Sequence, residues 1–228
     1  MPANPIHLTN ISRPTDKVIG RDAQLKQIRK RLAEDNSVVL VNGLGGIGKT
    51  TVALEFIHRY GGDYRHLAWI EVTDSITAAF VANRTLIDNL YLSAVLENLP
   101  KEDYEVLALE RIINRLSNLD NCLLVIDNAN NHDDLLACGH MLRTLRATTL
   151  LTSRAHPEDW NTVPIDELEP KDAAALFQRH FLAGVQPEQM DTLWELLRCL
   201  DHHTLLVELT AKAATKARLP LTALYDKV

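Results

Sequence analysis

Two kinds of apolar pattern alternate along the chain. Short continuous apolar runs have the length and β-branched content of strands that are buried on both faces of a parallel sheet. They cover residues 37–41, 67–72, 122–128 and 148–154. Between and after them lie longer segments in which apolar residues recur every three or four positions, as on one face of a helix. Strands that alternate with helices in this way predict an α/β fold with a parallel sheet.

The helical patterns surround the first strand and dominate two later regions. One helix is predicted to begin near Asp22, and a second covers residues 51–60. Residues 75–119 keep helical spacing with an interruption around Pro100. Residues 171–228 keep helical spacing to the end of the chain. This last region predicts a small all-α domain that follows the α/β core.

A glycine-rich stretch joins the first predicted strand to the helix after it. Residues 43–53 read GLGGIGKTTVA. They fit the pattern of Gly, any four residues, Gly, Lys, and Ser or Thr through Gly43, Gly48, Lys49 and Thr50. Only glycine lets a backbone curl closely enough to aim several N–H groups at one anion. The helix N-terminus adds the positive end of its dipole, so the stretch predicts a phosphate-binding loop.

The residue types in this loop point to a nucleoside triphosphate bound with Mg²⁺. We expect Lys49 to bridge the β- and γ-phosphates, Thr50 to offer its hydroxyl to Mg²⁺ and Thr51 to reach the α-phosphate. The loop backbone that would wrap the phosphates consists of Gly43, Gly45, Gly46, Ile47 and Gly48. A glycine loop that only turned the chain would need neither the lysine nor the threonine.

Two later strands end in residues that suit the same ligand. In the run at residues 122–128 the predicted strand ends in Asp127, where a carboxylate lies beside the phosphate loop and can hold Mg²⁺. In the run at residues 148–154 Arg154 lies just past the end of the predicted strand, where charge-assisted hydrogen bonds to a γ-phosphate are within reach. Aspartate and arginine also occur at solvated strand ends that have no function. The phosphate loop is what favours the functional interpretation of both.

Together with the loop, the pattern predicts two domains. Residues 1–166 are expected to form a P-loop NTPase three-layer core with a parallel sheet, and residues 167–228 a small all-α helical lid domain. Residues 1–16 are polar and contain three prolines, which indicates an extended lead-in. The nucleotide is expected in the cleft between core and lid.

Composition and charge narrow the choice of function. The formal net charge of −6 argues against a broad nucleic-acid-binding surface, and a solvated helix face explains the basic cluster at residues 21–31. The three cysteines show neither disulfide nor metal spacing, which favours a reducing, cytoplasmic setting. No apolar run approaches the length of a membrane span, so no membrane partner is expected.

These motifs, in this order, resemble the NB-ARC class of the STAND NTPases. That class comprises nucleotide switches of plant resistance proteins, apoptosome proteins and many bacterial regulators and defence proteins. The resemblance covers most of the chain and rests on five segments. They are VIGR at residues 18–21, the phosphate loop, LLVIDNAN at 123–130, LLTSR at 150–154 and LEPKDAAALF at 168–177.

The resemblance implies a role for individual residues and for the whole chain. Ile19 and Arg21 would lie near the adenine of ATP or ADP. Asp127 would bind Mg²⁺ together with Thr50, and Arg154 would sense the γ-phosphate. The implied function is an ATP/ADP-binding molecular switch that controls oligomerisation and effector activation in a larger signalling or antiviral defence protein.

The resemblance also implies partners. Members of the class continue into a winged helix and then a sensor region, whereas this chain stops at Val228 and has no room for an effector domain before Val18. We therefore expect an excised nucleotide-binding core of a larger protein. Its expected partners are further copies of itself, bound through the nucleotide-binding domain, and the effector and sensor domains of the parent chain.

Two positions depart from the family pattern. Asn128 stands where the class commonly has a second acidic residue, and an amide cannot take a proton from water. It can still orient a water molecule, so we expect at most slow ATP hydrolysis. Glu71, at the end of the second strand, is a less favoured substitute base. The second departure is Thr204, which stands where the class has a proline that lies against the adenine.

Three other functions are compatible with a phosphate loop. An AAA+-like motor or loader that acts on nucleic acid would hydrolyse ATP quickly, in conflict with Asn128 and the acidic balance. A P-loop phosphotransferase would need a small acceptor substrate. A scaffold that needs no nucleotide would leave Lys49 and Thr50 without a purpose. The switch is the interpretation that the sequence favours.

Overall fold

The computed structural model describes residues 4–13, 17–33 and 38–225. Some predicted features fall outside these ranges. They are Ser37 at the start of the first strand, residues 1–3 and 14–16 of the lead-in, and residues 226–228 at the end of the helical region.

Six parallel strands form one sheet within the described residues. They are β1 (Ile6–His7), β2 (Val38–Asn42), β3 (His66–Glu71), β4 (Cys122–Asp127), β5 (Thr148–Ser153) and β6 (Thr162–Pro164). Their order across the sheet is β1-β3-β4-β5-β2-β6. The predicted α/β fold with a parallel sheet is confirmed.

The two edge strands differ from the sequence prediction. The pattern predicts an extended lead-in, whereas β1 pairs with β3 through Ile6 opposite His66 and His7 opposite Leu67. No pattern predicts β6, which pairs with β2. Two or three residues are too short to show a period, and both strands owe their place to hydrogen bonds with strands distant in sequence.

Seven helices lie within the core segment of the described residues. They are α1 (Asp22–Leu32), α2 (Lys49–Tyr60), α3 (Ile76–Ala82), α4 (Arg84–Asn89), α5 (Ser93–Glu97), α6 (Tyr104–Ser117) and α7 (His132–Thr144). The region 75–119 breaks more often than predicted, because Asn83 ends α3 and its side chain accepts a hydrogen bond from the Leu86 amide to begin α4. A similar cap by Asn131 begins α7.

The sheet is buried on both faces, as its continuous apolar runs predict. Residues of β4 alternate between the faces: Leu123 and Val125 pack with α1 and α2, whereas Leu124 and Ile126 pack with α3, α6 and α7. Phe56 of α2 is fully buried in the first of these layers. Helix α2 is thereby fixed against the strands, and its N-terminus stays at the carboxyl edge of the sheet.

Four further helices follow the sheet. They are α8 (Pro170–His180), α9 (Met190–Cys199), α10 (Thr204–Ala217) and α11 (Leu221–Tyr225). They share a separate apolar core that begins at Leu168 and includes the tilted ring pair Phe177 and Phe181. Ile19, from the segment before α1, packs against this core. The boundary after residue 166 stays a prediction.

None of the helices in the described part of the chain combines the length and the apolar character that crossing a membrane requires.

Candidate functional site

The predicted site residues come together at the carboxyl edge of three neighbouring strands. The phosphate loop follows β2, Asp127 ends β4, and Arg154 follows β5, which lies between the other two. Carboxyl ends of parallel strands form the crevice in which α/β proteins bind ligands. The order of the strands therefore joins segments that lie far apart in sequence.

The loop needs glycine where the backbone is most sharply curved. Gly48 has a φ of 102° and is the N-cap of α2 without any side-chain cap, so the first N–H groups of the helix point toward the loop. At Gly43, a Cβ atom would lie 2.3 Å from the carbonyl oxygen of Ile165. Both positions therefore exclude a side chain, and the helix end is arranged to receive an anion.

Lys49 folds back across the phosphate loop. Its Nζ donates to the carbonyl oxygens of Gly43, at 2.9 Å, and Leu44, at 2.8 Å. Burial and then the charge of Arg154 lower the pKa of Lys49, whereas the charge of Asp127 raises it. Two cationic side chains thus share one small space, which is electrostatically suited to a polyanion.

Asp127 is held by hydroxyl groups from two directions. Thr50 Oγ1 donates to its two carboxylate oxygens at 3.0 and 3.1 Å. Thr152 of β5 donates to Oδ1, and the side chain of Asp127 is only 4% exposed. Mg²⁺ takes oxygen ligands in proteins, usually one or two carboxylates together with phosphates and water. Thr50 and Asp127 fit this donor set and would hold the ion beside the phosphates.

Thr152 was not among the predicted site residues. A polar residue inside an otherwise buried apolar strand is the signal that could have identified it, because a buried hydroxyl requires a partner. Its hydroxyl also accepts a hydrogen bond from the Asn128 amide at 2.9 Å. Thr152 therefore fixes the backbone after β4 as well as the carboxylate at its end.

Asn128 adopts a left-handed backbone conformation, with a φ of 66°, and so turns the chain out of β4. Its Nδ2 donates to the Val72 carbonyl at 2.9 Å, and its Oδ1 accepts from Asn130 Nδ2. Asn130 in turn accepts from the Arg154 amide at 2.8 Å. These hydrogen bonds link the ends of β3, β4 and β5, and Asn130 is a second residue that the sequence did not single out.

Asn128, Asn130 and Arg154 line an open cavity above the loop. Its other walls include Lys49 and Thr50, and its volume is about 370 Å³. We call it the phosphate-loop cavity. Glu71, the substitute base considered from the sequence, lies instead in a separate groove.

A second cavity lies behind the loop, between the core and the helical region. Its volume is about 400 Å³, and its walls include Ile19, Arg21, Ile47, Leu54 and Leu168. We call it the lid cavity. The two residues expected near an adenine, Ile19 and Arg21, both line it, and its combination of apolar and polar walls is typical of a small-molecule site.

Arg21 connects the loop to the helical region. Its Nη2 donates to the Ile47 carbonyl and to Thr204 Oγ1, each at 3.1 Å. Burial lowers the pKa of this guanidinium, while the nearby carboxylates of Asp166, Asp172 and Glu167 raise it. Thr204 Oγ1 also donates to the Ile47 carbonyl, at 3.0 Å. The threonine found in place of the family proline thus binds the loop directly.

The start of α10 covers the phosphate loop. His203 Nε2 donates to the Gly45 carbonyl at 2.9 Å, and a Cβ atom on Gly46 would lie 2.8 Å from Leu205 Cδ2. His203 and Leu205 were missed by the sequence analysis. Their contact with a loop more than 150 residues earlier depends on tertiary packing and has no local signal.

We expect Thr204→Val to lower the free energy of unfolding by about 1 kcal/mol. Valine keeps the volume but removes the hydroxyl that joins Ile47 and Arg21. Urea denaturation of this variant, beside the exposed-site control Thr222→Val, measures the difference. An unchanged midpoint for Thr204→Val would mean that this contact does not stabilise the closed arrangement.

Comparison with protein families gives one match over most of the chain. Residues 21–182 match the model of the NB-ARC domain. The matched segment begins at Arg21 and includes the phosphate loop, β4, β5 and α8. No match was found among curated proteins.

Solved structures share the fold at low sequence identity. The Walker-type ATPase PABY2304 of Pyrococcus abyssi is 12% identical, with a TM-score of 0.59 over 96% of this chain and 74% of that chain. Drosophila ORC bound to DNA is 13% identical, with a TM-score of 0.60 over 96% of this chain and 62% of that chain. AMPPCP-bound DnaA from Aquifex aeolicus is 15% identical, with a TM-score of 0.51 over 87% of this chain and 62% of that chain. At these identities the likeness concerns the fold alone.

Proposed function

Because the chain belongs to the NB-ARC family of P-loop NTPases, we propose that it is an ATP/ADP-binding switch whose output is nucleotide occupancy and not rapid chemistry. The observation that carries the proposal is the convergence of Lys49, Thr50 and Asp127 beneath a helical region that contacts the same loop. The switch would control oligomerisation and effector activation in a larger signalling or antiviral defence protein.

The two cavities support an adenine nucleotide as the ligand. The phosphate-loop cavity holds the cations and the hydroxyl that suit a triphosphate with Mg²⁺. The lid cavity offers Ile19, Leu54 and Leu168 as apolar walls for a base. Among proteins of similar fold, DnaA from Aquifex aeolicus is known bound to AMPPCP.

The surroundings of Asn128 support slow hydrolysis. A general base must accept a proton from the attacking water, and an amide has no basic site at neutral pH. The hydrogen bonds of Asn128 to Val72 and Asn130 leave a second lone pair on its Oδ1, which can orient a water molecule but cannot take its proton. Glu71 lies in a separate groove, so it is poorly placed to substitute.

The contact between α10 and the loop supports a conformational role. A nucleotide shifts an equilibrium only when it binds one state better than another. Because His203 and Thr204 bind carbonyl groups of the loop itself, any rearrangement of the loop around phosphates changes the energy of this contact. Self-association through the nucleotide-binding domain, and coupling to effector and sensor domains, are part of the proposal by analogy with the family. The three free cysteines agree with a reducing, cytoplasmic setting.

An AAA+-like motor or loader is the second candidate, favoured by the fold shared with Drosophila ORC bound to DNA. ATP turnover with and without duplex DNA separates the two. For a switch we expect ADP or ATP to be released when purified protein is denatured. We also expect turnover well below about 10 s⁻¹, the median for enzymes, with no response to DNA.

The variant Asn128→Ala belongs in the same experiment. We expect it to reduce the residual turnover, since Asn128 would no longer orient water. Turnover at tens per second that survives this substitution would contradict the proposed role of Asn128. Strong stimulation of ATP turnover by DNA would favour the motor. A protein that bound neither ATP nor ADP would instead support the alternative of a scaffold that needs no nucleotide.

A further inference from the structure

Glu208 of α10 lies where the two cavities meet. The cavities share four lining residues, namely Gly48, Thr51, Thr204 and Glu208. Of the described residues that line either cavity, Glu208 alone carries a carboxylate. Its side chain is 32% exposed, and Lys212, one turn later, donates to its Oε1. A ligand that filled both cavities would place one of its groups beside this carboxylate, and a hydrogen-bond donor is the favourable group there.

The positions of the cations argue against the phosphates as that part of the ligand. Lys49 and Arg154 line only the phosphate-loop cavity, and the cationic residues that line only the lid cavity are Arg13, Lys17, Arg21 and Arg179. Phosphate oxygens would repel Glu208 at short range and have stronger partners in Lys49 and Arg154. An adenine ring, for its part, is accommodated by the apolar walls of the lid cavity. The ribose is therefore the part of the nucleotide that we expect where the two cavities meet, beside Glu208.

The order of groups in a nucleotide agrees with this placement. Lys49 is expected to bind the β- and γ-phosphates and Thr50 the Mg²⁺ beside them, whereas Thr51 is expected to reach the α-phosphate. Thr51 is one of the residues shared by the two cavities, so the α-phosphate and the sugar attached to it would lie at the junction. Ribose hydroxyls donate hydrogen bonds, and an acidic side chain is a common acceptor for them in dinucleotide-binding folds.

We propose that Glu208 accepts hydrogen bonds from the ribose hydroxyls and makes the site selective for ribonucleotides over deoxyribonucleotides. The inference rests on the proposed nucleotide site. It assigns a specificity role to α10, which lies beyond the family match, since that match ends at residue 182. Lys212 holds the carboxylate in position and partly offsets its charge next to the phosphates.

The same side chain offers an alternative role as the base that activates water. Residues that would surround the γ-phosphate, namely Asn128, Asn130 and Arg154, line the phosphate-loop cavity without lining the lid cavity. Glu208 also lines the phosphate-loop cavity, but unlike them it lines the lid cavity as well. The position therefore favours the sugar over the hydrolytic water, and the experiment below distinguishes the two roles.

Calorimetric titration of the chain with ATP, 2′-deoxy-ATP and 3′-deoxy-ATP in the presence of Mg²⁺ tests the proposal. We expect the wild type to bind each deoxynucleotide about tenfold more weakly than ATP, the effect of losing one hydrogen bond to a charged group. In Glu208→Ala the three nucleotides should bind equally, because ATP loses its advantage. Glu208→Gln should keep a reduced preference, since an amide oxygen still accepts.

Glu195→Gln is the matched control. Glu195 lies on α9, is paired with Arg198 in the same helix and lines neither of the two cavities. Its substitution should leave all three affinities unchanged. Thermal unfolding of each variant, followed by circular dichroism, shows whether the helical region stays folded.

The possible outcomes distinguish a failure of the proposed ribose contact from a failure of the proposed nucleotide site. If the wild type bound none of the three nucleotides, the proposed function would fail, and the role of Glu208 with it. If the wild type bound all three equally, the ribose inference alone would be overturned. Equal weakening of ATP and both deoxynucleotides in Glu208→Ala would also overturn it. Lost turnover in this variant with unchanged nucleotide preference would assign Glu208 to the hydrolytic water.

Discussion

Lys49→Ala is expected to weaken ATP binding by at least about 100-fold, which corresponds to about 3 kcal/mol. In the structure, Nζ spans the loop and donates to the carbonyls of Gly43 and Leu44. A bound triphosphate would replace these neutral acceptors with charged ones, which adds the attraction of an ion pair to each hydrogen bond. Alanine removes the charge and both bonds. Isothermal titration calorimetry with ATP measures the loss directly.

The fold should survive this substitution, because Lys49 stabilises the loop only through two carbonyl contacts. Lys30→Ala, at an exposed position on α1, is the control and should bind ATP as the wild type does. Circular dichroism should show helical content like that of the wild type and a cooperative unfolding transition for both variants. An ATP affinity that Lys49→Ala leaves unchanged would refute the assignment of the phosphate loop.

Asp127→Asn is expected to abolish the contribution of Mg²⁺ to ATP binding. The carboxylate oxygens lie 3.0 and 3.1 Å from Thr50 Oγ1, so the two side chains form one oxygen donor group. An amide has a single, neutral oxygen and attracts a divalent cation much less strongly. We expect the affinity for ATP in Mg²⁺ to fall about 30-fold, equivalent to about 2 kcal/mol, to the value seen with a chelator.

Titrations with Mg²⁺ and with a chelator, for the variant and the wild type, measure this difference. The hydroxyls of Thr50 and Thr152 can still bind the asparagine, so the loop should keep its position. Asp120→Asn is the control, since Asp120 is exposed and forms a surface pair with Arg65. A Mg²⁺ effect of wild-type size in Asp127→Asn would remove Asp127 from the metal site.

The strands of the inner sheet were predictable because their burial is encoded locally. Every residue of β4 is buried, and such a strand appears in the sequence as an unbroken apolar run. The prediction that β4 ends in Asp127 and that Arg154 lies just past the end of β5 agrees with the structure. After β4, Asn128 turns out of the strand with a positive φ, a change that an apolar pattern does not register. The edge strands β1 and β6 were too short for any pattern.

The phosphate loop was predictable for a similar reason. Its function depends on glycine positions, a lysine and a threonine within one short segment that begins at a strand and ends in a helix. Ligands of α/β proteins bind at the carboxyl ends of parallel strands, and this rule then predicted Asp127 and Arg154 as further site residues. The rule identified the edge of the sheet, although it could not supply the order in which the strands lie.

By itself, the sequence determined the α/β core, the phosphate loop and the strand-end residues Asp127 and Arg154. Each of these depends on the periodicity or chemistry of one short segment. The tertiary structure alone decided that β5 lies between β2 and β4, that Thr152 holds Asp127, that His203 and Thr204 contact the loop, and that Glu208 lines both cavities. These contacts join segments far apart in the chain, and they exist because apolar faces of sheet and helices pack in a single arrangement, which no local pattern records.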